Sequence, residues 1–252
     1  MCAVDDDGAN MRNVREGASV SDLPVQYHAD GYDWVYTAAL GRHVALRPGT
    51  SDAQVWADTF TGLYAVPHLD FTPSRVLDLG GNIGLTAAHY QALWPDAEVA
   101  AVEMDADCCA MIRLNAPGIE VLEAAVTGES MWGSYCTTDR AEAFAFEPGV
   151  PPHGSGFKGV QGFALRSIIE YALGWPQVDF LKADIEGEEH DLFAHGDWAP
   201  LVRTALFELH PDDDHPDDSA ALVAAGIESL RALGFRAMHH TRHPRSVYAW
   251  RW

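Results

Sequence analysis

The stretch from Arg75 to Leu85, RVLDLGGNIGL, limits the fold of this chain more than any other part of the sequence. The mostly apolar run from Val76 to Leu79 is typical of a parallel strand covered on both faces, and Thr86 to Leu93 follows with helical spacing. Glycines let the backbone turn sharply and let a ligand approach the N–H groups of a new helix. Three of them lie between strand and helix: Gly80, Gly81 and Gly84. The junction therefore predicts a small-molecule site.

The spacing of these glycines narrows the choice of ligand. The order GGNIG differs from the Gly-x-Gly-x-x-Gly pattern of dinucleotide sites, and no Gly-Lys-Ser/Thr follows for a phosphate loop. A second predicted strand, Glu98 to Glu103, ends on a carboxylate that could accept hydrogen bonds from two ribose hydroxyls. Both features favour an adenosyl ligand without a pyrophosphate. The alternative is a glycine turn that binds nothing, with Glu103 at the surface.

The excess of acidic residues restricts the partners of the protein. The 252 residues include 37 acidic and 16 basic side chains, which gives a net charge of −21. Nucleic-acid binding depends on Lys and Arg near phosphates, so this charge argues against nucleic acid and anionic membranes as partners. The four cysteines form no disulfide or metal pattern, and residues 1–10 do not have the pattern of a signal peptide. Together these features predict a cytoplasmic protein.

Three regions follow from the distribution of apolar side chains. Residues 1–24 are polar and acidic, which predicts a flexible N-terminal arm. Residues 25–70 contain two short predicted strands, Tyr32–Tyr36 and His43–Arg47, and then a helix. We expect this hairpin and helix to flank the active site of the main domain, residues 71–252.

Strands and helices alternate in the main domain, which predicts an α/β fold with a doubly wound parallel sheet. Two further strands, Phe235–His239 and Val247–Trp252, would close the sheet as a hairpin with an antiparallel last strand. The alternation is lost between Val126 and Gly162, where Ser134–Thr137 and Phe144–Phe146 suggest two short strands. There the segment Pro148–Gly159, rich in Pro and Gly, predicts a loop on the substrate side, with disorder as the alternative.

Polar residues follow five of the predicted strands. In open α/β sheets ligands bind beyond the carboxyl ends of the strands, so these residues should meet at one crevice. They are Asp78 with the glycine turn, Glu103, the turn Glu123–Val126, the stretch Asp184–Glu189, and Glu208–His210. Their convergence predicts a functional site more strongly than any single motif does.

The residues after the fourth of these strands suit acid–base or metal chemistry. Asp184 and Glu186 could hold a divalent cation such as Mg²⁺ through oxygen ligands, or one could have a raised pKa for base chemistry. His210, alone or with Asp184, could accept a proton from an attacking nucleophile near neutral pH.

Two other sets of charged residues, the pair Glu188 and Glu189 and the single Lys182, are predicted to have structural roles. Glu188 and Glu189 are best explained as the solvated first turn of a helix, where the helix dipole favours acids. Lys182 lies inside a predicted buried strand, and an unpaired buried ammonium is costly. We therefore expect Lys182 to pair with a carboxylate such as Asp184 or Glu208.

The glycine turn, the acid that follows it and the last two strand ends match a known pattern. The matching segments are Val76–Gly84, Glu103, Phe180–Glu189, Phe207–His210, and Arg47–Asp52 with Phe60 and Tyr64. They resemble the FkbM family of S-adenosylmethionine-dependent methyltransferases, over about Leu46 to His210. Membership would imply a Rossmann-like class I fold with a seven-stranded sheet, methyl donation from S-adenosylmethionine, and often O-methylation in natural-product biosynthesis.

The resemblance also implies roles by position. Cofactor contacts would come from these residues: Asp78, Gly80, Gly81, Asn82, Gly84, Glu103, Met104, Ala124 and Asp184. The acceptor would contact Tyr64, Glu186 and His210, and His210 with Asp184 would face the methyl group as catalytic residues. Where the family has a Leu-Asp pair after Ser or Thr, this chain has Leu165-Arg166-Ser167, so the role of that Asp does not carry over.

The sequence thus predicts O-methylation of a hydroxyl on a small molecule, such as a sugar or an antibiotic intermediate. Carboxyl methylation and N-methylation of an amide or peptide would use the same cofactor pocket. A non-catalytic adenosyl-binding module would keep the pocket without transfer, and an NAD-dependent dehydrogenase is the most distant alternative. The expected partners are a small-molecule acceptor and a second copy of the chain in a homodimer.

Overall fold

The computed structural model describes residues 25–62, 66, 69–137, 146–152, 156–211 and 218–251. The predicted N-terminal arm, residues 1–24, and the predicted acceptor residue Tyr64 lie outside the described residues. In the part of the chain that is described, no helix combines the length and the apolar character that a membrane span needs.

The N-terminal unit is a small antiparallel sheet followed by a helix. Its elements are β1 (Val25–Ala29), β2 (Tyr32–Thr37), a 3₁₀ turn (Ala38–Leu40), β3 (Arg42–Leu46) and α1 (Asp52–Phe60). The strands lie in the order β1-β2-β3, so the predicted hairpin is a three-stranded sheet. The sequence did not predict β1, whose pairing with β2 is irregular between Val25 and Tyr27.

Two fully buried polar side chains fasten this unit to the rest of the fold. The carboxylate of Asp52 accepts hydrogen bonds from Nε and Nη2 of Arg47 at 2.9 and 2.7 Å. The amide of Asn115 bonds to both backbone groups of Ala45 and donates to the carbonyl of Ile83. The first pair holds α1 against β3, and the second holds β3 against the glycine turn.

The main domain continues with the predicted alternation of strands and helices. Its first half contains β4 (Arg75–Leu79), α2 (Leu85–Leu93), β5 (Glu98–Glu103), α3 (Ala106–Asn115) and β6 (Glu120–Glu123). After an inserted sheet, the second half contains α4 (Leu165–Ser167) with a π-helical turn (Ile168–Ala172), β11 (Val178–Ala183), α5 (Glu189–His195), a 3₁₀ turn (Ala199–Leu201), β12 (Val202–Glu208), α6 (Ser219–Ala232), β13 (Arg236–His239) and β14 (Ser246–Trp250).

The inserted sheet lies where the sequence predicted a loop. Its strands are β7 (Ala125–Thr127), β8 (Met131–Cys136), β9 (Phe146–Pro148) and β10 (Phe157–Ala164), in the order β7-β10-β8-β9. The loop predicted over Pro148–Gly159 is therefore wrong at both ends. Two glycines of this sheet make room for aromatic rings: a Cβ on Gly133 would lie 2.4 Å from the ring of Phe146, and one on Gly159, at the end of the predicted loop, would lie 2.6 Å from that of Trp132.

The main sheet has seven strands in the order β13-β14-β12-β11-β4-β5-β6. Strands β12, β11, β4, β5 and β6 are mutually parallel, while β14 is antiparallel to both of its neighbours. The predicted seven-stranded, mostly parallel sheet with an antiparallel C-terminal strand is confirmed. Because the chain moves outward from β4 to β6 and then returns to β11, the strand order reverses between β4 and β11, where α/β sheets bind ligands.

Candidate active site

A cavity of about 280 Å³ opens at the carboxyl ends of five parallel strands. Each of β4, β5, β6, β11 and β12 contributes at least one lining residue at or just after its end: Gly80, Glu103, Ala124, Asp184 and Glu208. Helix α1 covers another side with Gln54, Val55 and Asp58. The predicted convergence of five strand ends is confirmed, while the roles of the individual residues stay predictions.

The glycines of the turn are required by packing within the protein. A Cβ on Gly80, where φ is +73°, would lie 1.7 Å from the backbone oxygen of Asp184. A Cβ on Gly84, where φ is +84°, would lie 2.8 Å from Cα of Ile112. Gly80 therefore lets β4 and β11 approach closely, and Gly84 lets α3 pack against the turn. Gly81 lines the cavity but Gly84 does not.

The N–H groups of the turn are engaged by the protein itself. Those of Gly80 and Gly81 both donate to the carbonyl of Val102, at 3.0 and 3.1 Å. That of Asn82 donates to Oε2 of Glu103 at 2.8 Å. These three amides therefore do not form an open cradle for a phosphate, and the predicted outward-pointing N–H groups are those of α2, which begins at Leu85.

Glu103 presents a buried carboxylate to the cavity from the end of β5. Its Oε1 accepts a hydrogen bond from the N–H of Asp105 at 2.9 Å, and Oε2 accepts the one from Asn82. Burial raises the pKa of Glu103 to about 7, even though both backbone bonds favour the charged form. Met104 and Ala124, also predicted to contact the cofactor, line the cavity beside it. The arrangement places hydrogen-bond acceptors next to an apolar wall.

Lys182 connects the glycine turn to the other end of the cavity. Its Nζ lies 3.1 Å from Oδ2 of Asp184 and 3.6 Å from Oδ1 of Asp78, so the predicted pairing with a carboxylate is confirmed. Asp78 is fully buried, accepts a hydrogen bond from Thr86 at 2.6 Å, and does not line the cavity. Its influence on a cofactor would therefore pass through the turn. Burial raises the pKa of Asp78, which Lys182 opposes.

His210 lies among carboxylates at the far end of the cavity. Its Nδ1 is 3.2 Å from Oε1 of Glu189, and its Nε2 is 3.7 Å from an oxygen of each of Asp184, Glu186 and Glu208. Burial lowers the pKa of His210, but Glu189 and the other acids outweigh it and raise the pKa to about 10. The ring therefore holds its proton at neutral pH, and the prediction that His210 acts as a general base is at odds with this charge state.

Glu189 is a buried structural acid, so its predicted place on a solvated helical turn is wrong. It is fully buried, and its two oxygens accept the N–H groups of Ile185 at 2.9 Å and Gly187 at 3.1 Å. Glu188 is partly buried and lines the cavity. Burial and the nearby acids raise the pKa of Glu188 to about 7.

Several cavity residues were given no individual role from the sequence. Glu208, the last residue of β12, was expected at the crevice only as part of its strand end. Asp58 lies one helical turn after Gln54, and the two side chains are hydrogen-bonded at 2.8 Å. Phe146 reaches the cavity from β9, and although the sequence suggested a short strand at Phe144–Phe146, it gave no sign that this strand lies beside the cavity.

The described residues that line the cavity carry an excess of negative charge. The acidic residues among them are Asp58, Glu103, Asp184, Glu186, Glu188 and Glu208. The basic ones are Lys182 and His210. Such a lining favours ligands with positive charge and disfavours phosphates and carboxylates.

No protein-family model and no curated protein matches this sequence. Similar solved structures include a chain of the fibrillarin/Nop5p complex, with 15% identity and a TM-score of 0.47 over 78% of this chain and 82% of that one. Aeropyrum pernix fibrillarin with natively bound S-adenosyl-L-methionine has 14% identity and a TM-score of 0.42, over 90% and 85%. The sugar N-methyltransferase KedS8 from Streptoalloteichus has 11% and 0.41, over 79% and 84%. At these values the similarities carry no inference about function, and membership of the FkbM family stays a prediction.

Proposed function

We propose that this chain transfers a methyl group from S-adenosylmethionine to a hydroxyl of a small molecule, such as a sugar or another natural-product intermediate. One observation carries the proposal. A single cavity joins the buried carboxylate of Glu103, at the end of β5, to the charged cluster around His210 at the end of β12. A donor held at one end would therefore face an acceptor held at the other.

The end of the cavity around Glu103, which we call the donor end, fits an adenosyl group. The two carboxylate oxygens of Glu103 each accept one backbone N–H and retain lone pairs for ribose hydroxyls. Met104, Ala124 and Val126 supply an apolar wall of the kind on which a flat purine ring packs. The carboxylate of Glu103 and the apolar wall thus match a nucleoside that needs no phosphate contacts.

Charge and hydrogen bonding argue against a dinucleotide at the same place. The N–H groups of Gly80, Gly81 and Asn82 are bonded within the protein, so they are poorly placed to hold a pyrophosphate. The acidic lining would repel its two negative charges, whereas S-adenosylmethionine, with a sulfonium, an ammonium and one carboxylate, carries a net positive charge. The lining therefore supports the methyl donor over NAD.

The opposite end, which we call the acceptor end, suits a hydroxyl better than a carboxylate. Asp184 and Glu208 line it together with Glu186, whose pKa burial raises to about 7, so a substrate carboxylate would meet more acidic than basic groups there even with Lys182 and His210 beside them. A hydroxyl can instead donate a hydrogen bond to one of these acids, which would also receive its proton. An amine remains compatible with the charge, so N-methylation is the second candidate.

S-adenosylmethionine supplies an activated methyl group, whose bond to sulfur breaks with the electron pair staying on sulfur as the acceptor atom bonds to carbon. The protein mainly has to align the reacting atoms. The close packing of Gly80 on the backbone of Asp184 fixes the distance between the donor end and β11. Helix α1, held by the pair between Arg47 and Asp52, covers the cavity and limits access of water.

Binding and transfer can be tested separately. Calorimetry should show that S-adenosylhomocysteine binds the protein and that NAD does not. Labelled S-adenosylmethionine, offered with hydroxylated, amino, carboxylated and peptidic acceptors, should then label the hydroxylated class. Binding of NAD without S-adenosylhomocysteine would reject the proposal. Binding of S-adenosylhomocysteine with no labelled product from any class would favour a non-catalytic adenosyl-binding module.

A further inference from the structure

We propose that Asp184, Glu208 and His210 form a site for a divalent transition-metal ion of the Mn²⁺ or Zn²⁺ type at the acceptor end. One ligand atom from each of the three lies within 4.8 Å of the others. Two parallel neighbouring strands deliver them, because Asp184 directly follows β11 and the other two belong to the end of β12. The catalytic role of the ion rests on the proposed function, whereas the binding of the ion does not depend on it.

The spacing around the imidazole suits a shared ion better than direct bonds. Nε2 of His210 lies 3.7 Å from Oδ1 of Asp184, 3.7 Å from Oε1 of Glu208 and 3.7 Å from Oε2 of Glu186. These distances exceed the range of a hydrogen bond. An ion about 2.1 Å from each ligand places tetrahedral ligand atoms about 3.4 Å apart, so small side-chain movements would complete the coordination.

A second and independent feature is the hydrogen bond on the other side of the ring. Nδ1 of His210 pairs with Oε1 of Glu189 at 3.2 Å. Glu189 is fully buried and held by the N–H groups of Ile185 and Gly187, so it cannot swing away. Histidines that bind metals usually donate their other N–H to such a carboxylate, which orients the ring and directs Nε2 at the ion.

The ligand types select the kind of ion. An imidazole combined with carboxylates suits Mn²⁺, Zn²⁺, Fe²⁺ or Co²⁺, whereas Mg²⁺ and Ca²⁺ prefer oxygen ligands. The sequence suggested Mg²⁺ on Asp184 and Glu186, and the structure instead favours Glu208 and His210 as partners of Asp184. Glu186 lies at the edge of this group and is free to contact the acceptor or the ion.

At this position the ion would act on the acceptor. Bound to the hydroxyl oxygen, it would lower the hydroxyl pKa and orient the oxygen toward the donor end. The O–H proton would pass to a carboxylate of the cluster as the oxygen bonds to the methyl carbon and the carbon–sulfur bond breaks. Metal binding would displace the proton from Nε2 of His210, so the imidazole would serve as a neutral ligand rather than as the general base.

The test is direct binding of metal to tag-free protein that has been stripped with a chelator and dialysed. Calorimetry with MnCl₂ should show one ion per chain, and Co²⁺ should give visible absorption bands from a site with a nitrogen ligand. Glu208→Gln and His210→Gln should each weaken Mn²⁺ binding by at least about tenfold. The exposed Glu228→Gln on α6 is the matched control and should bind as the unmodified protein does.

The outcomes separate this inference from the proposed function. Circular dichroism first establishes that each variant is folded. The absence of saturable binding of Mn²⁺, Zn²⁺ or Co²⁺, or unchanged affinity in both variants, would overturn the metal site. Metal binding without S-adenosylhomocysteine binding would retain the site and reject methyl transfer. Methyl transfer that persists in protein shown to bind no ion would reject the site and retain the function.

Discussion

The two ends of the cavity are built in different ways. The donor end is made largely of backbone: a glycine turn, its bonded N–H groups, and one carboxylate, Glu103, held by two of the amides around it. The acceptor end is made of charged side chains, with His210 surrounded by acids from β12, α5 and the segment after β11. Substitutions at the donor end should therefore act through shape, and those at the acceptor end through charge.

The largest effect on stability is expected at the contact between Gly80 and Asp184, where the two ends of the cavity meet. In Gly80→Ala the new Cβ would lie 1.7 Å from the backbone oxygen of Asp184, at a φ of +73° that disfavours any side chain. We expect a loss of more than about 4 kcal/mol in the free energy of unfolding, because β4 and β11 must separate. Urea denaturation measures it. Gly118→Ala is the control, since Gly118 has a φ of +89° but no neighbour within 4 Å, and it should lose only about 1 kcal/mol. Equal losses would show that the contact does not matter.

Removal of Lys182, the cation between the two ends of the cavity, should lower the free energy of unfolding by slightly less. Lys182→Met leaves Asp78 and Asp184 buried without their shared ammonium, and we expect a loss of about 3 kcal/mol. In the double variant Lys182→Met with Asp78→Asn, part of that loss should return because one buried charge has also gone. Thermal denaturation of the three proteins at neutral pH measures both values. No recovery in the double variant would argue against electrostatic coupling.

A substitution at the donor end should change ligand binding more than stability. Glu103→Gln replaces one acceptor oxygen with an NH₂ group that can accept neither from a ribose hydroxyl nor from the backbone N–H of Asn82 or Asp105 that the oxygen bonded. We expect S-adenosylhomocysteine to bind about 10-fold to 100-fold more weakly, which corresponds to one lost hydrogen bond to a charged group. Calorimetry measures the affinity, with the exposed Glu120→Gln on β6 as control. Unchanged affinity would remove Glu103 from the cofactor site.

The smallest effect should depend on pH and appear beside the acceptor end. The pKa of Glu188 is about 7 in the folded protein and near the ordinary value of 4.5 in the unfolded chain. Below pH 4 both states are protonated. Between these two pKa values the unfolded state loses its proton first, so the folded state becomes relatively less stable as the pH rises, and the loss is complete above pH 7.

Glu188→Gln removes this ionisation. The variant should match the unmodified protein near pH 4 and be more stable by on the order of 1 kcal/mol at pH 8, a rise of a few degrees in Tm. Thermal scans of the ligand-free protein at the two pH values measure it. A constant difference at both pH values would mean that the effect is not the ionisation of Glu188.

The sequence predicted the main sheet and most of the donor end because both depend on local patterns. Apolar runs and glycines between residues 76 and 84 are enough to place a strand, a turn and a helix. The inserted sheet was predicted only as two isolated short strands, because Gly159 resembles a loop residue until its aromatic neighbour Trp132 is known. Whether a glycine serves a turn or a neighbouring ring cannot be read from its own segment.

The acceptor end was only partly predicted, because the state of each acid depends on residues far away in the chain. The strand ends of Asp184 and His210 were identified, but the burial of Glu189 and its bond to His210 arise from tertiary packing. That packing reverses the expected charge state of the imidazole. Position along a strand is a local property, whereas proton affinity is a property of the whole environment.

The fully buried amide of Asn115 has a consequence for the order of unfolding. It bonds Ala45 in the N-terminal sheet and Ile83 in the glycine turn at the same time. Opening either segment therefore leaves part of the buried Asn115 amide without its partner, which couples the two segments through this side chain. Amide hydrogens of β3 and of the turn should then exchange with deuterium as one cooperative unit, which would make the small N-terminal sheet an integral part of the half of the molecule that contains the glycine turn.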